Sequence, residues 1–181
     1  NKRIGNSVLL DITVSGTFSA PTNNWLTLTN GTLRLSKGTS LTLTDQAGVN
    51  FLIPQEASIV LNHPAAELNV GMANSNTSDL VLAGQLRILS GTVNVGNSVN
   101  NTHNDIEYAG TGAPLIYLEG ASTLNVNGQI RRSVLNFLGS LVYEQRDNSV
   151  VLVRGKNPGV VLNTNHQRAK FEILNPGSSF T

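Results

Sequence analysis

Short alternations of apolar and polar residues, separated by turns that contain glycine, run along this chain of 181 residues. The clearest example is residues 25–43 (WLTLTNGTLRLSKGTSLTL). Its apolar pairs are Leu26 and Leu28, Leu33 and Leu35, and Leu41 and Leu43, and the turns between them carry Gly31 and Gly38. Alternation at a period of two places both leucines of a pair on one face of a strand. Because the turns are too short for a helix and rich in turn-forming residues, the stretch predicts short strands joined by glycine corners.

The same pattern recurs along the whole chain. Leu86 and Ile88, for example, lead through Gly91 to Val93 and Val95. It continues to the last residue of the sequence, which falls where the pattern predicts the middle of a strand. We therefore expect residues 1–181 to be one domain within a longer chain.

Successive units form an imperfect repeat. Their leading apolar residues are Leu26, Leu41, Ile59, Leu80, Leu115 and Leu141, with spacings of 15 to 35 residues. The longest spacings require insertions. Residues 97–112 (NSVNNTHNDIEYAGTG) are mostly polar and lack periodicity, which predicts a polar loop that leaves the regular body. Residues 131–139 (RRSVLNFLG) are apolar enough to be buried or to form a short helical turn.

Two architectures fit many short strands with glycine corners. A β-sandwich or jelly roll has longer strands joined by hairpins and crossovers. A parallel β-helix has shorter strands joined by corners and stacks its coils about 4.8 Å apart. The short apolar pairs and two- or three-residue corners favour a single-stranded parallel β-helix, a β-solenoid of about six to seven coils. A right-handed sense is expected from the usual rule for parallel connections.

The composition agrees with an all-β protein. Charged residues are 13% of the chain and aromatic residues 5%, while Asn, Ser, Thr and Gly fill the spaces between apolar residues. Cysteine is absent, so a disulfide framework and a thiolate metal site are both excluded. No apolar run approaches the roughly 20 residues that span a bilayer. The net charge is +1, but acidic residues concentrate in 40–128 and basic residues in 1–39 and 129–181. Because sequence order is axial order in a solenoid, this predicts basic, acidic and again basic charge along the axis.

Three segments carry a resemblance to known proteins: LTLTNGTLRLSKGTSLTL, GQLRILSGTVNVGN and ASTLNVNGQ. They resemble the coils of right-handed parallel β-helix proteins, which include the pectin-lyase-like superfamily and the large repetitive surface proteins and adhesins of bacteria. The resemblance implies a secreted or cell-surface bacterial protein that serves as a stalk, an adhesin or a carbohydrate-handling module. It transfers no catalytic residue, because the motif encodes a stack and not a site.

The polar segment 97–112 contains the first candidate site. His103, Asp105 and Glu107 alternate along it, next to Tyr108. Alternate residues of an extended loop point the same way. The three side chains could therefore bind a ligand or a metal together, or act as an acid/base group. The simpler interpretation, which we prefer, is a solvated loop with incidental charges.

Basic residues near the C-terminus give the second candidate site, beginning with Arg131 and Arg132. The other members are Arg146, Arg154, Lys156, Arg168 and Lys170. A polyuronate lyase needs such a base, commonly beside acidic side chains that hold calcium, but here only Glu144 and Asp147 lie nearby in sequence. Solvated charges that discourage edge pairing of strands are the plainer explanation.

The favoured function is therefore a non-enzymatic stalk or adhesin module, extracellular or at the cell surface, that binds a glycan or a protein partner. The alternative is a polysaccharide lyase or a glycoside hydrolase, whose paired carboxylates could come from adjacent coils. No nucleophile elbow, phosphate-binding glycine loop or metal-binding signature is present, so we predict no cofactor and no metal. Nucleic acid is not an expected partner, because the net charge is near zero and basic residues are not interleaved with aromatic ones.

Overall fold

The structure is a computed structural model. It describes residues 8–19, 25–43, 48–72, 77–99, 102–109, 114–133 and 140–154, and the backbone of 170–173 and 179–180. These residues form sixteen β-strands and no helix. In chain order the strands are β1 (Leu9–Ile12), β2 (Gly16–Phe18), β3 (Gly31–Leu35), β4 (Thr39–Leu43), β5 (Phe51–Ile53), β6 (Ala57–Val70), β7 (Leu80–Leu82), β8 (Gln85–Val95), β9 (Ile106–Tyr108), β10 (Leu115–Leu118), β11 (Thr123–Val126), β12 (Ile130–Arg132), β13 (Val142–Gln145), β14 (Val150–Val153), β15 (Lys170–Ile173) and β16 (Ser179–Phe180).

The strands stack in parallel on three faces of a β-solenoid. The first face contains β1, β3, the start of β6, the start of β8, β10, β13 and β15. The second face contains β2, β4, the end of β6, the end of β8, β11, β14 and β16. The third face contains β5, β7, β9 and β12. Strands β6 and β8 are long because each continues round the corner between the first two faces, where their register shifts.

The predicted fold class is confirmed, but the number of complete coils is lower than six or seven. Four coils have strands on all three faces: residues 31–53, 57–82, 85–108 and 115–132, which we call the first to the fourth coil. Within the described part of the chain, the remaining strands add rungs to the first and second faces but not to the third. Residues 131–139 were expected to be buried or to form a short helical turn. Arg131 and Arg132 belong instead to strand β12, and residues 134–139 lie outside the described residues.

Stacked apolar rows form the core. One row on the first face runs through Leu33, Ile59, Leu86, Ile116 and Tyr143, which are paired in register and almost fully buried. Full burial of one such aliphatic side chain contributes about 1.5–3 kcal/mol. Each residue packs mainly against the coils on either side of it, so stability is approximately a sum of contacts between neighbouring coils.

The true repeat differs from the predicted one. Equivalent positions such as Leu33, Ile59 and Leu86 recur after 26 and 27 residues. The predicted series was wrong because Leu41 lies on the second face and Leu80 on the third. Alternation at a period of two is identical on every face, so it marks a strand but does not identify its face.

Part of the predicted polar loop at 97–112 is also built into the solenoid. Residues 106–108 form strand β9, which pairs with β7 and β12, and Ile106 and Tyr108 are fully buried. Before this strand, Asn97 and Thr102 form an antiparallel bridge. A strand of only three residues is too short to show alternation, which is why its sequence resembles a loop.

Glycines allow the coils to approach closely at the corner between the second and third faces. A Cβ atom at Gly128 would lie 2.2 Å from the backbone oxygen of Asn104, and one at Gly71 would lie 2.5 Å from Nδ2 of Asn104 in the next coil. Gly71 also has a φ of +63°, which disfavours other residues. This corner is therefore a tightly packed support for the side chains around it.

Candidate binding site

A ladder of side-chain oxygens stabilises the corner that leads into the third face. The Oδ1 atoms of Asn50, Asp79 and Asp105 each accept a hydrogen bond from the backbone N–H of the equivalent residue in the next coil, at 2.9, 2.7 and 2.8 Å. The last donor is Gln129. This ladder satisfies backbone donors that the strands leave unpaired at the corner. It also aligns the carboxylates of two successive coils.

Arg131 binds the free sides of those carboxylates. Its guanidinium and Nε lie 3.1 Å from Asp79 Oδ2, 2.5 Å from Asp105 Oδ2 and 2.6 Å from Glu107 Oε2. We call these four residues the Arg131 cluster. The side chain of Asp105 is fully buried, and those of the other three are 12–14% exposed. The cluster therefore cross-links the second, third and fourth coils.

The pKa of Arg131 results from two opposing effects. Burial lowers this pKa, but the hydrogen bond to Asp105 and the negative charges of Glu107, Asp105 and Asp79 outweigh burial and raise it above its ordinary value. The guanidinium therefore stays charged, as the three carboxylates around it require. Among the described residues, no group of three or more His, Cys, Asp or Glu side chains is arranged to hold a metal ion.

The structure brings three of the six predicted site residues together: Asp105, Glu107 and Arg131. Tyr108 instead points into the core and is fully buried. His103 is partly buried just before the corner, and Arg132 is partly buried in register with Tyr108. A ligand-binding role for this set stays a prediction, although the geometry favours a cross-link between coils.

A second ladder lies on the outer side of the second face. Asn69, Asn94 and Asn125 are in register on the second, third and fourth coils. Asn94 Nδ2 donates to Asn69 Oδ1 at 2.8 Å, and Asn125 Nδ2 donates to Asn94 Oδ1 at 2.9 Å. Asn69 Nδ2 in turn donates to Ser40 Oγ at 3.2 Å. We call Asn69, Asn94 and Asn125 the Asn ladder.

An open cleft of about 190 Å³ lies along the end of this ladder. Its lining residues are Met72, Asn94, Gly96, Asn97, Ser98, Asn125, Asn127 and Arg154. The lining thus combines four asparagines and one arginine with the apolar side chain of Met72. The cleft is smaller and more polar than the mostly apolar pockets that enclose drug-sized ligands.

The wall of the cleft is held in place by hydrogen bonds that involve Asn97 and Thr102. Asn127 Nδ2 donates to the backbone oxygen of Thr102 at 2.6 Å, and the backbone N–H of Asn97 donates to Thr102 Oγ1 at 2.7 Å. Behind the wall, buried Asn104 donates to the backbone oxygen of Gly71 at 2.7 Å and accepts from the backbone N–H of Ser78 at 3.0 Å. The cleft is therefore pre-formed on a rigid corner.

Arg154 is the exposed cation of the cleft. Its backbone N–H donates to the backbone oxygen of Val126 at 2.9 Å, which fixes the start of its side chain beside the fourth coil. Its guanidinium takes part in none of the ion pairs between described residues. It contrasts with Arg131, whose donors are directed at three carboxylates.

The three tyrosine side chains offer little surface for stacking on sugars. Tyr108 and Tyr143 are buried in the core. Tyr117 is 7% exposed, since the guanidinium groups of Arg87 and Arg146 lie 4.8 and 5.1 Å from its ring centroid. Burial, followed by the hydrogen bond to Glu119, raises the pKa of Tyr117. Trp25 is 38% exposed, but it lies before β3, away from the cleft.

Sequence reasoning missed most of the cleft, although a signal for it is present. The motifs LNVG (68–71), VNVGN (93–97) and LNVNG (124–128) repeat an asparagine between two buried apolar residues, followed by a corner. An asparagine at the outward position of three successive strands indicates a polar row on one face. Arg154 was included among the basic residues, but nothing in the sequence connects it to these asparagines.

Comparisons of this chain with protein-family models, with curated proteins and with solved structures find no match. The class of protein therefore rests on the architecture itself, a parallel β-solenoid. In the part of the chain that the structure describes, no helix has the length and apolar character needed to cross a membrane.

Proposed function

We propose that this β-solenoid is a non-enzymatic glycan-binding module, of the stalk or adhesin kind, and that it binds its glycan in the cleft beside the Asn ladder. The observation that carries the proposal is that Asn94, Asn125 and Arg154 line one cleft. We further propose that the module acts outside the cell or at its surface.

The chemistry of the cleft suits a sugar. A carboxamide has two N–H donors and a carbonyl acceptor, so it can bind neighbouring hydroxyl groups of one ring. The side chain of Met72 offers an apolar surface to the C–H face of the ring. The guanidinium of Arg154 can bind a carboxylate with two hydrogen bonds, which favours a glycan that contains an acidic sugar.

The arrangement of the carboxylates supports binding more than turnover. The densest group, Asp79, Asp105 and Glu107, surrounds Arg131 at the side of this corner where the third face begins, and none of the three lines the cleft. A general acid or base must be within hydrogen-bonding reach of the reacting group. No carboxylate lines the cleft among the residues described there. A lyase or hydrolase is thus the less supported alternative.

The test is to incubate the protein with a panel of neutral and acidic polysaccharides and to measure binding and new chain ends in the same samples. We expect binding without new chain ends. Arg154→Gln should weaken binding of acidic members about tenfold to a hundredfold, which is the effect of losing a hydrogen bond between charged groups. Lys37→Gln is the matched control, because Lys37 is an exposed cation on the first coil, away from the cleft.

Two results would contradict the proposal. New chain ends would show that the protein is an enzyme. Equal loss of binding in Arg154→Gln and Lys37→Gln would show that net charge, and not the cleft, attracts the glycan.

A further inference from the structure

We infer that the ligand is an extended polysaccharide that lies along the solenoid axis, with one sugar on each coil of the Asn ladder, a neutral sugar at Asn69 and an acidic sugar at Arg154. This inference rests on the proposed function, since it specifies how and which glycan is bound. It follows from the spacing, the unused hydrogen-bonding capacity and the charges of the second face.

The spacing of the ladder defines a repeat. Asn69, Asn94 and Asn125 occupy the same position on three successive coils, and parallel strands lie about 4.8 Å apart. An extended chain of 1,4-linked sugars advances by a similar distance per sugar. Such a chain placed along the axis meets the same side chain at every sugar, whereas a chain placed across the coils meets it once.

The ladder keeps hydrogen-bonding capacity for a ligand. Each carboxamide has two N–H donors and two acceptor lone pairs. Asn94 uses one donor towards Asn69 and one acceptor site towards Asn125. One donor and one acceptor site therefore remain on it, and Asn94 lies partly buried on the outer side of the second face.

The ladder also has a direction. Every amide donates towards the preceding coil, so the hydrogen-bonded row runs from Ser40 through Asn69 and Asn94 to Asn125. The next residue in register is Leu152, which cannot accept a hydrogen bond. The row of amides therefore ends at the fourth coil, and Arg154, two residues after Leu152, lines the same cleft as Asn94 and Asn125.

The charges at the two ends of the row are opposite. Glu67 is exposed on the second coil, two residues before Asn69, and accepts a hydrogen bond from Ser40 Oγ at 3.2 Å. Its equivalents on the next two coils are Thr92 and Thr123, which are uncharged. A carboxylate on the ligand is thus repelled at the Glu67 end and attracted at the Arg154 end. A polysaccharide with alternating or sparse acidic sugars fits both ends, and a polyuronate does not.

The experiment is calorimetric titration of the protein with mixed neutral and acidic oligosaccharides of one to six sugars. We expect affinity to rise about fivefold for each added sugar up to four and then to level off, because each coil adds about one net hydrogen bond. Asn94→Ala should remove the increase in affinity that the inner sugars provide. Asn62→Ala is the matched control, since Asn62 is exposed at the corner between the first two faces.

A second pair of variants keeps the test independent of the ladder's stability. Arg154→Gln should abolish the preference for acidic over neutral oligosaccharides, and Glu67→Gln should increase binding of a polyuronate several-fold. Affinity that is already maximal with one or two sugars would overturn the axial arrangement while leaving the proposed function intact. Absence of binding to every polysaccharide and oligosaccharide tested would overturn the proposed function itself.

Discussion

The Arg131 cluster and the Asn ladder are both rows of polar side chains that parallel stacking places on successive coils. In the cluster, one buried guanidinium binds carboxylates from the second and third coils. In the ladder, neutral amides bind one another and border an open cleft with an exposed arginine. The cluster directs its charges inward at one another, whereas the ladder leaves donors and acceptors unused.

This difference shows which polar row of a solenoid is suited to binding. Titratable residues close in space usually suggest chemistry. Here the group with the most charge is also the most completely paired, so its main effect is to hold coils together. The uncharged row has the unused hydrogen-bonding groups, and it is the better candidate for a ligand.

The largest expected effect comes from breaking the Arg131 cluster. Arg131→Leu leaves three carboxylates close together, one of them fully buried, without their cation. Loss of one partner of a buried charged group costs about 3–5 kcal/mol. We expect a decrease of this size in the free energy of unfolding, measured with urea, and no change in glycan affinity of the folded fraction.

Arg34→Leu is the control, because it removes an arginine from the Asp11 pair, whose side chains are 36% and 23% exposed. The expected loss of stability is much smaller there. Equal losses in the two variants would contradict the difference between a buried cluster and an exposed pair.

The next effect concerns the cleft. Arg154→Gln and Asn125→Ala together should lower glycan affinity by at least a hundredfold if each removes a ligand hydrogen bond of about 1.5 kcal/mol or more. Arg154 is exposed and Asn125 is at the end of its ladder, so the melting temperature should change little. A large loss of stability with unchanged affinity would reverse the roles assigned to the two regions.

A smaller effect distinguishes the middle of the Asn ladder from its end. Asn94→Ala removes two hydrogen bonds and Asn125→Ala removes one. At about 0.5–1.5 kcal/mol for each net hydrogen bond, the middle substitution should cost about twice as much unfolding free energy. Equal costs would show that the amides contribute to stability independently of the ladder.

The smallest effect is a dependence of stability on pH at the exposed pair. The hydrogen bond from Arg34, and then that from Ser36, lowers the pKa of Asp11. A lowered pKa in the folded state means that this carboxylate stabilises the protein above its unfolded pKa of about 3.9, and that this contribution is lost as the pH falls through the folded value. Asp11→Asn should therefore reduce the loss of stability below about pH 4. An unchanged acid transition in this variant, followed by circular dichroism, would show that the pair contributes nothing.

Prediction from the sequence succeeded where local spacing carries the information. The leucine pairs at 33 and 35 and at 41 and 43 were predicted to lie in strands, and they are buried in strands β3 and β4. The same spacing did not reveal that the two strands lie on different faces. Strand β9 was missed because three residues are too few to show a period.

The candidate sites were less predictable. Asp105 and Glu107 were singled out together, and both contact Arg131, which was assigned to a separate basic group. Their contact depends on the register between β9 and β12, which pairs Glu107 with Arg131. Prediction of the cleft would have required the register of Asn94, Asn125 and Arg154, which are separated by long stretches of sequence.

By itself, the sequence determined that this protein is a stack of short parallel strands, because alternation and glycine corners act within a few residues. Only the tertiary structure decided how many complete coils there are, which residues share a face, and which polar rows are paired or open. Those properties depend on the register of residues that lie 23 to 31 positions apart in the chain, from Leu9 and Thr32 to Asn94 and Asn125. Register is selected by packing and hydrogen bonding between coils, which local spacing does not encode.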